Sequence, residues 1–109
     1  MTTAPDRPRY TVVAVVDVQP DGAVALQRYE DQVLLLLGRH GGLLERRLRT
    51  PEDATEVHVL SFPSEGAYRA FRTDPERSRH RPLLDGVDVV HRVVESLSDV
   101  RRATPACGS

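Results

Sequence analysis

The middle of the chain constrains its fold most tightly. Helix-like residues 23–40 end in the turn His40-Gly41-Gly42, two strand-like runs follow, and Ser61-Phe62-Pro63-Ser64 opens a second, short helix. With one strand before and one after, the order reads strand, helix, strand, strand, helix, strand. That order predicts one antiparallel sheet of four strands with helices on one face, an α+β fold.

Tyr10 to Val18 is nearly continuous in β-branched residues, the mark of a central strand covered on both faces. Thr11, Val13, Val15 and Asp17 share one face; Val12, Ala14, Val16 and Val18 share the other. Gln19-Pro20-Asp21-Gly22 stops the strand, and Asp21 is the expected N-cap of the first helix. That helix buries Leu26, Tyr29, Val33, Leu36 and Leu37 at spacings of three and four. Gly41 stands where a left-handed C-terminal cap is needed.

Leu43 to Arg49 is charged and irregular, which suits an edge strand whose charges discourage uncontrolled pairing. Thr55 to Phe62 places Val57, Val59 and Ser61 on one face, and Glu56, His58, Leu60 and Phe62 on the other. Ser64 is the expected cap of the second helix, and Asp74-Pro75 ends that helix because proline disfavours a helical residue before it. Residues 76–84 predict one further helical segment, and Val87 to Val94 the last strand.

The 109 residues suit one domain, placed at 9–97, with residues 1–8 and 98–109 expected to be disordered. A net charge of −1 and a pI near 6.4 give no basic field for nucleic acid. No apolar run approaches the ~20 residues that cross a bilayer, so no membrane partner is expected. The opening residues lack an apolar signal core, and a cytoplasmic location is expected. Cys107 is the single cysteine, which excludes an internal disulfide and any multi-thiolate metal site. All fifteen basic residues are arginine, so Schiff-base and lysine general-base chemistry are excluded.

Four histidines are the groups that titrate near neutral pH without perturbation. His40 closes the first helix, either as a partner for its last carbonyls or as a ligand contact at the cleft. His58 stands mid-strand, either as a hydrogen-bonded core or interface residue or as a group facing the interior. His80, in Arg77-Ser78-Arg79-His80-Arg81, belongs to a solvated surface or to an anion site. His91, in the last strand, has the weakest functional case. No metal-ligand spacing, nucleophile elbow or phosphate loop is present. Acid–base chemistry on a small apolar or aromatic substrate is what remains. His40, His58 and His80 are the catalytic candidates. Tyr29, Tyr68, Asp17 and Phe62 are the ligand-binding candidates, with no metal and no cofactor. Asp17 is read either as an orienter of a histidine or as a strand-end residue near water.

The His40-Gly41-Gly42 turn and the run Val57-His58-Val59-Leu60-Ser61-Phe62-Pro63-Ser64, continuing through Ala67-Tyr68-Arg69-Ala70-Phe71, resemble small members of the dimeric α/β-barrel superfamily. The resemblance covers residues 10–95 and extends distantly to antibiotic-biosynthesis monooxygenases. It implies a ferredoxin-like βαββαβ unit whose open sheet face packs on a second copy, a homodimer. The superfamily includes cofactor-independent monooxygenases, haem-degrading enzymes, isomerases and ring-cyclising enzymes. This chain has neither tryptophan nor asparagine, residues on which the first two groups rely. Asp74-Pro75-Glu76-Arg77 stands where members often read Ser-Pro-Glu-Tyr. The resemblance therefore implies a small-molecule pocket protein of specialised metabolism, expected to be a cofactor-free cyclase or isomerase. A non-catalytic ligand-binding or accessory dimer and a cofactor-independent monooxygenase are the alternatives.

Overall fold

Along β1 (Tyr10–Val18) burial alternates residue by residue: Val12, Ala14, Val16 and Val18 are buried, and Thr11, Val13, Val15 and Asp17 are half-buried. This is the period-two pattern of a strand with one face in the core. The structure is a computed structural model and describes residues 9–100. α1 (Ala23–Leu34) follows, then β2 (Leu43–Arg49), β3 (Thr55–Phe62), α2 (Glu65–Arg72), α3 (Pro75–His80) and β4 (Val89–Leu97). The strands pair antiparallel in the order β2-β3-β1-β4, so β1 and β3 are central and β2 and β4 are edges. This is the expected ferredoxin-like α+β fold.

The core lies between the helices and the face that carries Val12, Leu60 and Phe62. Leu26, Tyr29, Val33 and Leu37 approach from the first helical segment, Tyr68 and Phe71 from α2. Phe62 is fully buried, with its ring centroid 5.4 Å from Tyr68 and 5.5 Å from Phe71. Such pairs add about 0.5–1.5 kcal/mol each beyond the area they bury. Gly41 adopts φ +70°, as a left-handed cap requires. Gly42 is tighter still: a Cβ there would lie 2.7 Å from the Phe62 ring.

Three local expectations are corrected. The helix over 23–40 keeps α geometry only to Leu34, and Leu35–His40 tightens into a 3-10 segment that ends at Gly41. Asp21 does not cap α1. A 3-10 turn over Pro20–Gly22 intervenes, Gly22 occupies the cap position, and no side chain bonds the first turn. The last strand runs from Val89 to Leu97 rather than from 87 to 94. Gly86, at φ +77°, holds the preceding turn, while a bulge with Ser96 at φ +61° carries the strand past Glu95. Ser64 caps α2 by accepting the Ala67 N–H at 3.1 Å, and Asp74 caps α3 by accepting the Glu76 N–H at 2.9 Å. Residues 1–8 and 101–109, Cys107 among them, lie outside the described residues. Residues 98–100 follow β4 with no regular structure.

The other sheet face carries no helix. Register puts Val13, Val15, Val57, Val59, Val90 and Val94 there together, with Val90 61% and Val94 51% exposed.

Candidate active site

β3 brings Glu56 and His58 to the helix-covered face, two residues apart and therefore side by side. Both are buried, at 0% and 2% exposure. His58 Nε2–H donates to Glu56 Oε1 at 2.7 Å. An acceptor carboxylate on Nε2 leaves the Nδ1 lone pair free in the neutral ring. Nδ1 faces Glu30 Oε1 of α1 at 4.0 Å.

Glu56 is held ionised by the edge strand. Arg47 Nε donates to its Oε1 at 2.9 Å, and Arg49 Nε to its Oε2 at 2.8 Å. Arg47 also reaches Asp31 on α1 at 2.7 Å. Burial alone would raise the Glu56 carboxyl. The hydrogen bonds from His58, Arg47 and Arg49 outweigh it and bring the pKa down to about 2. Half of the charges on β2 thus turn inward, instead of only protecting an edge. Glu30 behaves oppositely: burial pushes its carboxyl above the ordinary value, opposed by His58. One histidine therefore stands between a carboxyl held well below its ordinary pKa and another raised above its own.

His58 and Glu30 line a cavity of about 90 Å³ between the sheet and the helices. Ala14, Leu26, Val33 and Leu60 supply apolar wall, and Tyr29 and Tyr68 hydroxyl-bearing rings. Tyr68 has its phenol raised by burial. The cavity reaches the surface past Arg72, Arg77 and His91. It is smaller than the ~300–1,000 Å³ usual for drug-sized ligands.

The other sequence candidates lie elsewhere. His40 bonds Asp74 Oδ2 at 2.8 Å and meets the Phe71 ring edge-on, which ties the first helical segment to the α3 cap. His80 lies in a surface groove with Arg28, Asp31 and Arg79. Asp17 faces the open side of the sheet and accepts from Thr55 Oγ1 at 2.6 Å. Phe62 is packed in the aromatic core and is not a cavity wall. Glu56, Glu30, Arg47 and Arg49 escaped sequence reasoning, although Glu56-x-His58 opposite Arg47-x-Arg49 is a visible signal: matched i, i+2 pairs of opposite charge on adjacent strands.

SnoaB, a cofactor-independent oxygenase from Streptomyces nogalater, superposes with a TM-score of 0.62 at 18% identity, over 89% of this chain and 97% of that one. Rv0793 from Mycobacterium tuberculosis gives 0.63 at 18% identity, over 89% and 100%. An antibiotic biosynthesis monooxygenase gives 0.69 at 14% identity, over 84% and 99%. The structural neighbours are antibiotic-biosynthesis-monooxygenase-like ferredoxin-fold proteins. At these identities the likeness establishes the fold. No protein-family model matches the sequence, and no curated protein matches it either. Among the described residues, no helix is long and apolar enough to cross a membrane.

Proposed function

We propose that this chain is a cofactor-free acid–base enzyme that takes a proton from a small aromatic substrate held between its sheet and helices. The observation that carries the proposal is the Glu56–His58–Glu30 series opening on an apolar cavity. His58 Nδ1 accepts the proton from an activated C–H or O–H. Glu56 stabilises the imidazolium so formed and fixes the ring, and Glu30 relays the proton onward. Apolar walls exclude water, which strengthens each of these interactions. A positioned base of this kind contributes roughly 10²- to 10⁴-fold to a rate.

Cyclisation and isomerisation both follow from such a step. So does oxygenation, because a resonance-stabilised carbanion is electron-rich enough to meet dioxygen directly. The fold shared with a cofactor-independent oxygenase favours this oxygenation variant. A location in the cytoplasm and a role in specialised metabolism belong to the same reading.

The working unit is a homodimer. The open face of the sheet carries six valines beside Arg46 and Arg92, and a second copy of the same face would cover it. His40 and His80 are assigned supporting roles: the first holds a helix junction, the second lies on the surface.

The test is deuterium uptake by 2-indanone in D2O, followed by loss of its benzylic proton signals. The protein is expected to accelerate exchange well above the buffer rate. A rate equal to that of buffer would contradict the proposal.

A further inference from the structure

We infer that the cavity selects an aromatic carboxylate, its ring inside and its carboxylate at the mouth, where Arg77 and Arg72 receive it. The inference rests on the active-site reading above and names its substrate class. Arg77 extends from α3 and Arg72 from α2, and both side chains line the opening together with His91 of β4. The opening is therefore ringed by two guanidinium groups and an imidazole, although the chain as a whole carries a formal charge of −1. Local and global charge have opposite sign there.

The two arginines differ in how they are compensated. Arg72 lies 3.7 Å from Glu95, beyond hydrogen-bond reach. Arg77 forms no ion pair within 4 Å among the described residues; its guanidinium stacks on the Phe71 ring, 4.7 Å from the centroid. Arg72 likewise stands over Tyr68, at 5.7 Å. Arg77 over an aromatic face, with no carboxylate partner among the described residues, is placed to receive a carboxylate through two parallel N–H donors. Glu30 is the acidic group of the same lining; burial raises its carboxyl, and the charges of His58 and Arg77 act against that rise. His91 is held below its ordinary pKa by burial, with Arg77, His58 and Arg72 adding to the effect, which reports the same crowding of positive charge.

Size agrees with charge. A cavity of about 90 Å³ takes little more than a ring, so a polar substituent has to reach the opening. The ring and the carboxylate are thus sorted to the two ends of the site, and the reacting C–H or O–H is set against His58.

The experiment is an NMR titration of the protein with benzoate and with its neutral isostere benzamide, read at the amides of Ala14, Val33 and Leu60. Benzoate is expected to bind at least tenfold more tightly than benzamide, with the preference shrinking as salt is added. Arg77→Gln is expected to abolish the preference by weakening benzoate alone, and Arg77→Lys to keep most of it. Benzamide binding shows that each variant is folded. Equal affinity for the two ligands, or a preference that survives Arg77→Gln, would overturn the inference and leave the acid–base site standing. Absence of binding by both at the cavity amides would overturn the inference and the site together.

Discussion

His58 Nε2 and Glu56 Oε1 are 2.7 Å apart on a single strand, both buried, with Arg47 and Arg49 closing around the carboxylate from the neighbouring strand. The relationship converts an otherwise costly buried charge into a fixed orientation for the imidazole. An ionised carboxylate taken out of water costs several kcal/mol unless it is paired and hydrogen-bonded. Here three donors meet it.

Glu56→Gln leaves two inward-facing guanidinium groups without their anion. Breaking a buried pair by removing one partner costs about 3–5 kcal/mol. Partial exposure of Arg49 puts the expected loss at the low end, about 3 kcal/mol by urea denaturation. A loss below 1 kcal/mol would mean that Glu56 is not the centre of the network.

Acid should expose the same network. Glu56 is depressed in the folded protein to about 2, from 4.5 in the unfolded chain. A depressed carboxyl contributes stability that is complete above the unfolded value and disappears as pH falls through the folded one. Stability measured by denaturant titration is therefore expected to decline between about pH 5 and pH 2. The share due to Glu56 is on the order of 2–3 kcal/mol, and the Glu56→Gln protein should lack it.

Glu30→Gln tests the opposite sign. A carboxyl raised by folding penalises the folded state above its unfolded pKa, and the penalty vanishes below it. The variant should unfold at higher temperature than the parent near neutral pH and at the same temperature near pH 3. It should also exchange 2-indanone protons more slowly. A stabilised variant with slower chemistry is the signature of a residue kept for function.

Val59→Asp places a charge at the middle of the uncovered valine face without entering the core. Native mass spectrometry is expected to find the parent as a dimer and this variant as a monomer of unchanged secondary structure. A monomeric parent would contradict the homodimer.

Much of this fold was legible because its strands obey simple periods. β1, β2 and β3 begin and end where alternation and turn residues put them, and Ser64 and Gly41 cap as their chemistry requires. The misses have local causes. Nothing in Leu34-Leu35-Leu36 distinguishes an α turn from a 3-10 turn, since leucine suits both. The bulge at Ser96 hides the end of β4 because a serine at positive φ leaves no compositional trace. The site was half legible. His58, Tyr29 and Tyr68 were singled out and do line the cavity. Glu56 was not, because a charged residue on that face of β3 has no evident partner until the arginines opposite it are paired by register, and Glu30 was not, because a glutamate on a helix reads as solvent-facing.

One measurement bears on the central claim most directly: the rate of deuterium exchange into 2-indanone by the parent and by His58→Gln, at equal concentration and with folding verified by circular dichroism. If His58 is the base, the variant loses roughly 10²- to 10⁴-fold of the catalysed rate, while His40→Ala and His80→Ala keep theirs within twofold. A His58→Gln protein that exchanges as fast as the parent would contradict the account.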